Sequence, residues 1–162
     1  MIQDPAGLTD EFVSAVSMAG LNPPRSRIEH ERQPATHRPH ALPAGKCAVY
    51  VFSLSERYGR QCPAGAHRVL KVGMAGLKSN ARFQSQHYNP RSVGSTVAGV
   101  LLQSRVLWPY LGVKNLPEDE AGSWLRENAD RENFYLEAVD AGLLRDLERY
   151  VRARLGPVLE GG

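Results

Sequence analysis

Cys47-Ala48-Val49-Tyr50-Val51-Phe52-Ser53-Leu54 is the stretch on which the fold turns. β-Branched and aromatic side chains fill it, and these pack well on a pleated surface, so it reads as a strand. Successive strand residues point to opposite faces, which sets Ala48, Tyr50 and Phe52 against Val49 and Val51. Glu56 to Ala66 follows, with Gly59, Pro63 and Gly65, and reads as a long hairpin loop. His67 to Met74 (His-Arg-Val-Leu-Lys-Val-Gly-Met) is the expected returning strand. Strict alternation there keeps Lys71 in step with Val69 and turns its ammonium away from Leu70 and Val72.

Upstream, Thr9 is placed to cap a helix over 10–19, with Phe12, Val13 and Val16 on one side and Gly20 as its stop. From Asn22 to Gly45 the chain holds five prolines, and Ile28 is the one sizeable aliphatic residue between Leu21 and Leu42. This part reads as an extended arm. The histidines in it, His30, His37 and His40, match no common zinc spacing. Downstream, Ser79 or Asn80 is expected to cap a helix to Tyr88, which Asn89-Pro90 ends. Ser95 is expected to start another helix, through Val97, Val100, Leu101 and Leu102 to Arg105. Trp108 to Leu116 reads as an apolar turn region and 120–128 as a short helix. A strand over 133–139 and a helix over 142–154, closed by Gly156-Pro157, complete the chain. The expectation is a mixed α/β (α+β) protein: an N-terminal helix and arm over 1–44, and a compact domain over 45–162.

A length of 162 residues with 42% hydrophobic content suits one domain with a real core. No run approaches the ~18–20 apolar residues that span a bilayer, and the acids Asp4, Asp10 and Glu11 spoil any export signal. Cys47 and Cys62 make no disulfide framework. Reduced thiols, and hence a cytoplasmic protein, are expected. The net charge of +3 hides an asymmetry. Residues 1–45 carry a net −1 and residues 111–162 a net −4, but residues 46–110 hold nine basic residues against one acid, Glu56. Such a surface suits a polyanion, and backbone phosphates are its usual partner. The plainer alternative is a basic half folded against an acidic one.

Five short pieces fall in an order that one nuclease family uses: Ala48-Val49-Tyr50, Lys71-Val72-Gly73, Asn80-Ala81-Arg82, Leu147-Glu148 and Gly156-Pro157-Val158. Together they resemble the GIY-YIG nuclease domain over residues 45–160. The resemblance implies a three-stranded antiparallel sheet flanked by helices, and a Mg²⁺- or Mn²⁺-dependent endonuclease acting on DNA. It gives Tyr50 the task of orienting the attacking water or taking its proton. A phenol titrates near ~10, so that task needs positive charge nearby. Lys71 stands where the family often has tyrosine; it implies a phosphate contact or a charge that lowers the Tyr50 pKa.

Arg82 implies a guanidinium on the scissile phosphate. His87, or Tyr88 beside it, stands near the family's helper to the nucleophile or leaving group. Glu148 implies the metal ligand: it borders the stripe of Leu143, Leu144, Leu147, Val151 and Leu155, where a carboxylate can reach a cleft. Its alternative is an ion pair with Arg145 or Arg152. Lys78 and Arg91 join Lys71 and Arg82 as expected nucleic-acid contacts. Ala48 replaces the family's first glycine, and Leu159-Glu160 replaces its terminal aromatic-asparagine pair, with Glu160 a further candidate at the metal. A non-cutting DNA-binding module, an RNA-directed enzyme or an interaction domain could use the same scaffold. Cutting both strands would favour a homodimer or two successive nicks.

Overall fold

The computed structural model describes residues 2–63 and 68–159. The expected strand start at His67 and the Glu160 carboxylate lie outside the described residues. One antiparallel sheet organises the chain, in the order β1-β4-β2-β3. Its strands are β1 (Glu29–Gln33), β2 (Lys46–Leu54), β3 (Val69–Ala75) and β4 (Ala129–Glu137). The alternation read from β2 holds. Ala48, Tyr50, Phe52 and Leu54 pack on one face with Phe83, Leu101 and Leu125. Cys47, Val49 and Val51 pack on the other with Phe12, Phe134, Leu147 and Val151.

The sheet has four strands, not the expected three. The additional one, β1, lies inside the supposed arm and pairs along β4 from Glu29↔Tyr135 to Gln33↔Arg131. Its sequence, Glu-His-Glu-Arg-Gln, gives no hydrophobic signal, because an edge strand can be held by its backbone ladder and by polar cross-strand pairs. Those pairs are present: His30 meets Glu132 at 2.8 Å, Arg32 meets Asp130 at 2.9 Å, and Glu31 accepts from Asn133 and Tyr135. The arm's other histidines are spent similarly, His37 on the Tyr88 hydroxyl and His40 on Glu31. β4 also begins earlier than expected, at Ala129, taking in the charged Asp130-Arg131-Glu132.

Seven α-helices flank the sheet among the described residues: α1 (Pro5–Met18), α2 (Glu56–Gly59), α3 (Asn80–Gln84), α4 (Val97–Gln103), α5 (Trp108–Leu111), α6 (Ala121–Asn128) and α7 (Leu144–Leu155). α1 is capped by Asp4, which accepts from the Gly7 amide, with Pro5 at its first position; Thr9 is within it. Gly20 ends this helix region at φ +72°, in the left-handed range that suits glycine. Thr96, not Ser95, caps α4 by accepting from the Gly99 amide, which leaves the Ser95 side chain for other use. The helix expected over Ser79–Tyr88 breaks into α3 and a 3₁₀ turn at Gln86–Tyr88. α7 carries the expected apolar stripe, and Leu144, Leu147 and Val151 bury it against the Val49 face. No helix among the described residues is long and apolar enough to cross a membrane.

Candidate active site

β3 is an edge strand, and a cleft of about 260 Å³ opens along it. Lys71, Val72, Gly73 and Met74 form its floor, with Arg82 from α3, Ser95 from the loop before α4, Glu148 and Arg152 from α7, and Pro157 and Leu159 beyond α7. Lys71, Arg82 and Glu148, all expected at one site, therefore line one cleft.

Lys71 arrives there by a route that strict alternation misses. The β2–β3 register slips, with Phe52 opposite Lys71 but Ser53 opposite Val69, so Leu70 is an extra residue. Such a bulge re-aims the side chains beside it. Leu70 and Lys71 consequently share the Tyr50 face, and the expected opposition between them does not hold. Lys71 is 6% exposed, and its ammonium donates to the Ser95 carbonyl at 3.0 Å and to the Ser95 hydroxyl. Burial first, then repulsion by Arg82 and Arg152, bring the Lys71 pKa down to about 8. Ser95 is a site residue that sequence reasoning missed. Its signal was faint: beside a better cap in Thr96, it had no helix end to serve.

Tyr50 is wholly buried, directly opposite Gly73. A Cβ on Gly73 would lie 2.5 Å from the Tyr50 hydroxyl and 2.7 Å from its ring, so only glycine fits above the phenol. The hydroxyl thus sits against the residue that floors the cleft, with no hydrogen bond of good geometry. Leaving such a group unpaired costs roughly 1–3 kcal/mol. Burial raises the Tyr50 pKa, while nearby Arg82 and then Arg131 pull it down.

Arg131, with no measurable exposure, is the largest fully buried side chain. Its guanidinium lies 4.0 Å from the Phe83 ring centroid and 5.4 Å from those of Tyr50 and Phe52. It donates to Asn133 Oδ1 at 2.9 Å and the Phe83 carbonyl at 2.7 Å, and pairs with no carboxylate among the described residues. A buried arginine in a strand interior gave no sequence signal. His87 lies behind the tyrosine, its ring 4.6 Å from the Tyr50 ring, with both nitrogens buried and unpartnered. Burial, with repulsion from Arg131, Arg82 and Lys71, lowers its pKa to about 3. His87 lies beneath the phenol and does not line the cleft.

Glu148 is 8% exposed and pairs with Arg152 one turn along α7. Both alternatives read from the sequence meet here: the residue faces the cleft and is also ion-paired. It is the one carboxylate lining the cleft, and no three His, Cys, Asp or Glu side chains gather to hold a metal among the described residues. Mg²⁺ accepts one or two carboxylates and completes its shell with waters and substrate oxygens, so the donor set fits that ion only together with a phosphate. Leu159 stands where the resemblance would place an aromatic residue; it is buried and its amide donates to the Leu70 carbonyl at 2.8 Å. Lys78 is exposed and outside the cleft lining. Arg91 is also outside it, paired with Glu118 at 2.7 Å. No family model, curated protein or solved structure matches the chain, so the cleft is read from its own geometry.

Proposed function

We propose that the protein is a divalent-metal-dependent endonuclease that hydrolyses DNA phosphodiester bonds. One observation carries the reading: Lys71, Arg82 and Glu148 come from three separate elements to one cleft, with the Tyr50 phenol against its glycine floor. Arg82 and Lys71 hold the scissile phosphate and offset the charge that grows on it in the transition state. Ser95 holds Lys71 in place. The Tyr50 phenol, flanked by Arg82 and backed by Arg131, orients the attacking water. Glu148 holds Mg²⁺ or Mn²⁺, which when bound supplies Lewis acidity to the phosphate. Lys78, and Arg91 once freed from Glu118, extend the contact along the backbone, and two copies or two successive nicks cut both strands.

Supercoiled plasmid incubated with Mg²⁺, Mn²⁺ or EDTA tests this, comparing the native protein with Glu148→Ala. Metal-dependent nicking or linearisation, reduced at least about a hundredfold in the variant, is expected. Equal cleavage by both proteins refutes the site. The buried Tyr50 hydroxyl and the occupied Glu148 favour a second reading, a DNA-binding module that does not cut. Salt-sensitive DNA binding without cleavage would select it.

A further inference from the structure

The one acid of the cleft is not free. Arg152 Nη2 pairs with Glu148 Oε1 and leans on the Val72 carbonyl at 3.4 Å, the long limit of a hydrogen bond. Arg152 Nε is buried with no acceptor at all. The guanidinium therefore has one strong partner, one weak partner and an unmet donor. Its planar fork is built for two-point contact with a phosphate, and the cleft it lines with Lys71 and Arg82 is where a phosphate would sit.

We propose that Arg152 is a latch on the metal-binding carboxylate: without nucleic acid it occupies Glu148 and keeps a divalent cation out, and a phosphodiester entering the cleft draws it away and frees Glu148. This rests on the nuclease reading above. A cation approaching the cleft meets three basic side chains, Lys71, Arg82 and Arg152, and one carboxylate that is already engaged. A phosphate reverses that balance twice, by adding negative charge and by giving Arg152 another anion. DNA and metal then bind with positive coupling, and the coupling is reciprocal. Arg152 is a positioning residue for Glu148 and needs no part in the bond-breaking step.

The test is a Mn²⁺ titration of the full chain, followed by the electron paramagnetic resonance of free Mn²⁺, with and without a short phosphorothioate duplex that resists cleavage. The native protein should bind Mn²⁺ at least about tenfold more tightly with the duplex than without it. Without duplex, Arg152→Gln should bind Mn²⁺ more tightly than the native protein does, and it should gain less from added duplex, whose phosphate still completes the donor set. Arg152→Lys, which keeps the charge, should retain the dependence on DNA, and thermal melts establish that both variants fold. Glu148→Gln should lose the site in either condition. Equal Mn²⁺ affinity of the native protein and Arg152→Gln without DNA overturns the latch while leaving the nuclease reading intact. Mn²⁺ binding that is absent throughout, or that survives in Glu148→Gln, overturns both.

Discussion

The two faces of the sheet are built to different rules. On the face covered by α1 and α7, Val49, Val51, Val72, Phe134 and Leu136 make a dry aliphatic layer. The buried charges on that side are matched: Glu132 takes His30 and the Ile2 amide, and Asp130 takes Arg32 and the Ala35 amide. On the opposite face Tyr50, His87, Arg131 and Gln33 each keep a buried polar atom without a partner. Unmet polar groups weaken a fold, so the Tyr50 face gives up some stability, while the α7 side does so only at the cleft, where Arg152 Nε is unmet. Strained or unsatisfied groups collect at functional sites for this reason.

That division can be broken by substitution. Leu147→Ala, on the dry face, should lower unfolding free energy by about 2–5 kcal/mol in urea titration. Plasmid cleavage by the folded fraction should stay unchanged, and a parallel loss of turnover would mean that the faces are not separable. Arg82→Ala should do the opposite, lowering cleavage about 10²–10³-fold with an unaltered melt.

Arg131→Met sharpens the contrast further. Replacing a buried, carboxylate-free charge with an apolar chain should leave stability equal or raise it, by up to about 1–4 kcal/mol. Cleavage should fall, since the phenol loses the cation behind it; a large loss of stability would show that Arg131 is structural. The smallest effect concerns His87. Its pKa is about 3 when folded against an ordinary 6.5, so between these values only the unfolded chain takes up the proton. Stability is thus full above 6.5 and is lost as pH falls toward 3. Between pH 7 and 5 this group alone removes about 2 kcal/mol, and His87→Phe should abolish that part of the slope. Retained cleavage in His87→Phe would confirm a packing role; an unchanged slope would place the ring in water.

How much of this was legible follows from where each signal lives. The faces of β2 could be read because apolar alternation is a local pattern. β1 and the start of β4 could not, because Glu29 to Gln33 and Asp130 to Glu132 are all polar or charged and their partners lie on other strands. Tyr50, Gly73, Arg82 and Glu148 were legible as types in an order. The facing of Lys71 was not, since a single extra residue at Leu70 reverses the parity on which it was inferred. Arg152 was visible as a neighbour of Glu148, but its unmet Nε appears only once α7 lies against β3. His87 was the right residue in the wrong surroundings: sequence supplies an imidazole, and only packing decides whether water reaches it.

Both rims of the sheet are defended against strand addition. β1 presents charged residues along one rim. On the other, the chain after α7 turns back so that the Val158 and Leu159 amides donate to Val69 and Leu70 at 3.0 and 2.8 Å. Among the described residues, this return covers the Val69 and Leu70 carbonyls, and the cleft begins at Lys71. A second copy of the protein that tried to extend the sheet there would have to displace this segment first, so self-association by pairing at that edge is disfavoured.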